Sequence, residues 1–175
     1  MNFLSSRALA GDGVTENGGN ASSGTISLSV NDGATLNLPN VVGTPLLVLN
    51  SARGGNTPAN NRFGGSANLG QTLVQAFNSS GDFGNLFVSS IGRGGFATSG
   101  ATGTRGGDAF GGAVSIDFFD SNIDIAFDRL EVNLTGGDGG LGDGGNGGGV
   151  FSGLVDIYVF NSVVNVGSNL NPSVF

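Results

Sequence analysis

A fourteen-residue block is written twice in this chain without a gap. Gly112-Ala-Val-Ser-Ile-Asp-Phe-Phe-Asp-Ser-Asn-Ile-Asp-Ile125 aligns on Gly153-Leu-Val-Asp-Ile-Tyr-Val-Phe-Asn-Ser-Val-Val-Asn-Val166, 41 residues later. Gly24-Thr-Ile-Ser-Leu-Ser-Val-Asn-Asp-Gly33 keeps the same rhythm, and Val74-Gln-Ala-Phe-Asn-Ser79 is a looser copy. Self-similarity at such a period means one supersecondary unit stacked on itself, each copy burying the face that its neighbour leaves open.

Within the third copy, Val114, Ile116 and Phe118 alternate with Ser115 and Asp117, the period of two that marks a strand with one buried face. A corner follows at Phe119-Asp120-Ser121. Two further alternating stretches then run through Ile123, Ile125 and Phe127, and through Leu130, Val132 and Leu134. A glycine-rich excursion, Gly136 to Gly149, closes the unit. The last stretch recurs as Leu86-Phe-Val-Ser-Ser-Ile-Gly-Arg93, as Leu47-Val-Leu-Asn-Ser-Ala-Arg53 and as Phe3-Leu-Ser-Ser-Arg7, with Leu86 set against Leu130. No apolar stripe persists at helical spacing, and glycine inside a helix costs about 1 kcal/mol.

The pattern predicts an all-β chain: one parallel β-solenoid domain over 1–175, with repeats of about 41 residues at 3–46, 47–85, 86–129 and 130–169, and a further coil starting at 170–175. In such a stack equivalent residues stand above one another. Phe77, Phe119 and Phe160 are therefore expected to form an aromatic column beside Asn78, Asp120 and Asn161, because Asn and Asp tolerate turn geometry. The first copy departs here, with Asn31-Asp32-Gly33 and no Phe. The chain starts and stops in the same strand phase. That predicts either a piece of a longer array or subunits whose ends join head to tail, a contact that does not close.

Composition narrows the functions. Glycine supplies 35 of 175 residues, yet 38% of the chain is hydrophobic and sits in short alternating runs, which separates it from disordered chains. No three-residue glycine period exists, so collagen is excluded. Six Arg against thirteen acidic residues, a net charge of −7, argue against nucleic-acid binding. Cys, His, Lys and Trp are absent, which removes disulfides, thiolate metal sites and the usual general bases. No apolar run is long enough for a membrane helix. The first residues lack the basic and apolar segments of a secretory signal, so export would need a signal that lies elsewhere or has been removed.

The Gly-Gly-x-apolar-x-apolar blocks, the Asn-Ser corners and the Gly-Gly-x runs together resemble the repeats of bacterial surface proteins with right-handed parallel β-helices, the autotransporter passengers and large filamentous adhesins. The resemblance covers nearly the whole chain. It implies an extracellular or cell-surface, elongated, non-enzymatic scaffold: a structural subunit or fragment of a fibre, sheath or adhesin. Phage tail fibres use similar architecture, and a carbohydrate- or surface-binding module acting through its glycine-rich loops is the alternative.

Candidate chemistry is sparse. Asp117, Asp120 and Asp124 crowd one copy and suit a calcium ion bridging coils, and Asp143 lies in a run that partly follows the calcium β-roll pattern, although its frame does not fit. A solvated acidic face that discourages aggregation is the plainer reading. Glycine in these runs is expected to supply positive φ and close backbone packing. Glu16 and Glu131 offer carboxylates for glycoside cleavage but no supporting His or Lys. Arg53 and Arg93 precede Gly-Gly in matched places, with Arg7 nearby, which predicts caps on loop carbonyls or pairing with acids of the next coil. Irregular ranks at Ser27, Ser29, Asp156 and Tyr158 do not suit ice binding. Asn20, Asn78 and Asn133 fit the glycosylation acceptor pattern.

Overall fold

The computed structural model describes residues 3–38, 46–97, 104–136 and 145–167, with the side chains of 126–132 among those left undescribed. Over these residues the chain is all-β, without a helix, and all its strands pair in parallel. Sheet I contains β1 (Phe3–Leu9), β4 (Thr35–Asn37), β5 (Leu46–Arg53), β8 (Ser80–Arg93), β11 (Asn122–Thr135) and β14 (Val163–Val166), in the order β1-β5-β8-β11-β14 with β4 also on β8. Sheet II is made of two-residue strands, β2 (Ala21–Ser22), β6 (Ala67–Asn68), β9 (Ala109–Phe110) and β12 (Val150–Phe151), and sheet III of β3 (Ile26–Asn31), β7 (Thr72–Phe77), β10 (Ala113–Phe119) and β13 (Leu154–Phe160). The chain visits I, II and III in that order again and again. Each strand therefore hydrogen-bonds to its own equivalent one tier away.

Sheet III shows why these residues form strands. Leu28, Val74, Ile116 and Ile157 lie in one rank, and Val30, Ala76, Phe118 and Val159 in the next but one. Both ranks face the interior, and Val74, Ile116 and Phe118 are buried. Burying a side chain of that size contributes about 1.5–3 kcal/mol, so every tier gains from keeping the alternation in phase. The intervening ranks hold Ser27, Leu73, Ser115 and Asp156, and Ser29, Gln75, Asp117 and Tyr158.

Sheet I bends. Its long strands slip register between Asp124 and Ala126 and again between Phe127 and Arg129, and Gly84 adopts a φ of 60° in the neighbouring strand. Phe83 fills the inside of that bend against Phe118, ring centroids 6.1 Å apart. The slips correct the sequence alignment of this stretch: Leu86 pairs with Phe127, and Leu130 with Val88. The sequence comparison, which admits one insertion, sets Leu130 two residues away from its partner, and the register slips lie just before it in the strand. Beyond the bend the core thins to Ala21, Ala52, Ala67 and Leu69, with Ala8 and Ala10 against them, so sheets I and II come together over methyl groups. Asn50 sits between the two cores, its Nδ2 donating to the carbonyls of Gly24 and Gly70 at 3.0 and 3.2 Å.

The described residues of the glycine-rich excursions pack on one another. Each excursion leaves sheet I and returns to sheet II, and the outgoing and returning segments interleave along the stack. Gly19 N donates to Gly11 O, Gly55 to Gly19, Gly65 to Gly55, Gly95 to Gly65 and Gly107 to Gly95, all between 2.8 and 3.0 Å. The result is a zigzag of backbone hydrogen bonds between two glycine columns. A Cβ on Gly65 would stand 1.8 Å from Gly19 O, and one on Gly107 2.0 Å from Gly65 O. The need is for space: among the described glycines only Gly33 and Gly84 have positive φ.

Two substitutions separate packing from composition. Gly65→Ala is expected to destabilise by about 3 kcal/mol or more, since a backbone oxygen occupies the new methyl's place. Gly11→Ala, with nothing within 4 Å, is expected to change stability by about 0.5 kcal/mol or less. Thermal unfolding followed by circular dichroism checks both, and equal effects would contradict the packing account.

Candidate functional site

The outer edge of sheet III carries the most chemistry. Where the chain turns from sheet III into sheet I, Asp32, Asn78, Asp120 and Asn161 all adopt left-handed backbone, with φ between 45° and 56°. Short amide or carboxylate side chains bear that conformation best among residues other than glycine. The corners stack through the backbone: Gly33 N donates to Asn78 O, Asn78 N to Phe119 O and Asp120 N to Phe160 O, at 2.7–3.0 Å. Asp32 thus continues the column into the first copy, with Asn31 beside Phe77 where the later tiers have Phe.

Phe77, Phe119 and Phe160 line the outer face next to that corner. Phe77 and Phe119 stack at 5.0 Å and 10°, Phe119 and Phe160 tilt at 6.3 Å, and Tyr158 stacks on Phe119 at 5.1 Å. Asn78, Asp120 and Asn161 border a shallow groove of about 390 Å³ together with Ser79, Ser121 and Val163. Hydroxyls reinforce the corner, as Ser79 N donates to Ser121 Oγ and Ser121 N to Ser162 Oγ.

The candidate calcium ligands sit apart from one another. Asp117 projects from sheet III, accepting from Gln75 Nε2 at 2.9 Å and from Ser115 Oγ at 2.7 Å. Asp120 accepts from Asn161 Nδ2 at the corner. Asp124 accepts from Asn165 Nδ2 at 2.8 Å, beside a different groove that also holds Asp82. Each carboxylate is thus bonded to an amide one tier away, and among the described residues no three acidic side chains gather as a metal site would require. Asp143 lies outside the described residues.

The same use of amide and carboxylate oxygens extends into the glycine arms. Asn56 N donates to Asp12 Oδ1, Phe96 N to Asn56 Oδ1, Phe63 N to Asn17 Oδ1 and Ser66 N to Asn20 Oδ1, at 2.7–2.9 Å. Glu16 contributes its carbonyl, which accepts from the buried Thr57 hydroxyl. The side chain of Glu131 is not described. Asn20 is held by its oxygen and Asn78 by its corner, while Asn133 is exposed on β11.

The arginines depart from expectation. Arg53 pairs directly with Arg93, but Arg7 pairs with Ser51 and stands one row aside. Among the described residues neither carbonyl caps nor acid partners engage these three, and the described ion pair is Arg105 with Asp108. Sequence reasoning also passed over the signal for the glycine columns, which is Gly-Gly recurring in pairs: 54–55 with 64–65, then 94–95 with 106–107.

No protein-family model, curated protein or solved structure matches the chain.

The corner makes a direct prediction. Asn78→Gly is expected to leave stability within about 0.5 kcal/mol, whereas Asn78→Val, branched at Cβ in left-handed backbone, is expected to lose about 1–3 kcal/mol. Chemical denaturation measures the difference, and equal losses would remove the conformational role of the corner.

Proposed function

We propose that the chain is a right-handed parallel β-solenoid that acts mechanically, as a non-enzymatic structural subunit or fragment of an extracellular fibre, sheath or surface adhesin. Each traverse from one strand to its parallel neighbour is a crossover connection, and such connections are right-handed in about 98% of cases. The carrying observation is the last tier. Ile157 and Val159 occupy the interior ranks, yet they are 51% and 49% exposed, while Ile116 and Phe118 in the tier beneath are 0% and 1% exposed.

Among the described residues, strands β12, β13 and β14 end the three sheets at that tier, each paired on one side. At the opposite end β1, β2 and β3 end the same sheets in the same parallel sense. A second copy placed end-on would continue all three ladders and cover Ile157 and Val159 with the first tier's interior rank. Unpaired parallel edges favour such addition, and a contact between unlike ends propagates rather than closes.

The alternative, a carbohydrate-binding module using glycine-rich loops, is less well supported. The glycine amides donate to glycine carbonyls of the neighbouring segment, so the columns offer few free backbone groups to a sugar. The absence of His and Lys and the dispersed carboxylates support a role without catalysis.

Electron microscopy and sedimentation of the intact chain test the reading. Fibres, or oligomers that grow with concentration, are expected, and Val159→Lys is expected to abolish them while leaving the melting temperature within a few degrees. A wild-type chain that stays monomeric at every accessible concentration would overturn assembly as the function.

A further inference from the structure

Three of the six cations in this acidic chain stand on one outer face. Arg7, Arg53 and Arg93 line a groove of about 500 Å³ across β1, β5 and β8, with Ser51, Ser89 and Ile91 between them. Arg53 and Arg93 lie directly opposite each other on neighbouring parallel strands. Like charges in that relation destabilise a sheet. The chain has thirteen acidic residues to relieve the repulsion, and no described acid pairs with any of the three. Glu131 occupies the strand after Ser89, four residues along from the row that Arg93 leads. Elsewhere on the molecule carboxylates are met one tier away by amides, as Asp117 is by Gln75 and Asp124 by Asn165, so neighbouring tiers do place complementary groups together. The arginine face is an exception to that rule.

We propose that this groove binds a multivalent oxyanion, a ligand carrying at least two phosphate or carboxylate groups. Guanidinium is planar and always charged, and its fork of donors matches the oxygens of both groups bidentately. Stacked Arg53 and Arg93 present two such forks at the strand spacing of roughly 4.8 Å, which selects ligands whose anionic groups are close together. Arg7, one tier and one row away, reaches the third side. The groove's volume falls in the range typical of small-molecule sites, about 300–1,000 Å³. The net charge of −7 repels anions at long range, but screening confines that field to about 10 Å at 0.1 M salt. Among the residues that line the groove the charged ones are the three arginines.

Calorimetric titration with pyrophosphate and with citrate, on the full chain at fixed ionic strength, tests the site, with glucose as a neutral probe. Saturable binding of one of the two anions, together with a higher melting temperature in its presence, is expected; the tighter probe names the source of the oxyanion. Arg53→Gln and Arg93→Gln are each expected to weaken binding about tenfold, the loss of one charge-assisted contact, and not to lower the melting temperature of the free protein. Arg62→Gln, whose side chain donates to the Thr15 carbonyl in the glycine arm, is the control and should bind as the wild type. No saturable binding of either anion, or equal weakening in all three variants, would overturn the proposal by reducing it to net charge. Neither result depends on whether the chain assembles.

Discussion

Backbone meeting backbone at hydrogen-bond distance, tier on tier, is the constraint on which everything else depends. In the sheets it is the ordinary parallel ladder. In the excursions it becomes the glycine zigzag that starts at Gly11, and from Gly55 through Gly107 a carbonyl oxygen occupies the place any side chain would take. Glycine loses the most conformational freedom on folding, so a chain this rich in it needs a compensating gain. The gain here is a hydrogen bond for each amide in the column and the removal of both segments from water. The zigzag also couples outgoing and returning segments, so an arm behaves as part of the stack and holds its tip, including exposed Phe63, at a fixed distance from the sheets.

Once the tiers are fixed at one spacing, side chains follow. Interior ranks of Ile, Val, Leu and Phe seal one core, alanines a thinner one, and Asn50 links the two through carbonyls that a glycine approach leaves accessible. Outward ranks are a second lattice, in which carboxylates and amides of adjacent tiers bond to each other or to the next tier's amide N–H. This lattice gives the acidic cluster its partners: Asp117 and Asp124 each have an amide, and the corner's Asp120 has Asn161.

Much of this was legible in the sequence, because a strand with one buried face writes its period into the residues. Val114, Ile116 and Phe118 announce their strand, and the Asn/Asp corner declares itself through residue types that accept left-handed backbone. Three things were not legible. The bulged stretch from Asp124 to Arg129 shifted the pairing of β11 on β8, since a bulge follows from how a sheet bends around Phe83 and leaves no mark in local periodicity. Close backbone packing was expected of the glycine runs together with positive φ, but not which segments meet: Gly65 and Gly107 are required by an oxygen belonging to a segment about one tier away in sequence. A constraint set by a distant backbone atom is invisible to any window of neighbours. The arginine groove was hidden for the same reason: Arg53 and Arg93 are matched in sequence, but the absence of a partner appears only when the surrounding side chains are in place.

Amide hydrogen exchange reports whether the glycine columns interleave in solution. If the account is right, the amides of Gly55, Gly65, Gly95 and Gly107 exchange as slowly as those of Val74 and Ile116 in the core strands, because opening them requires separating tiers. Exchange at the rate of a solvated loop, with the core strands still protected, would show that the excursions are not packed on one another and would contradict the account.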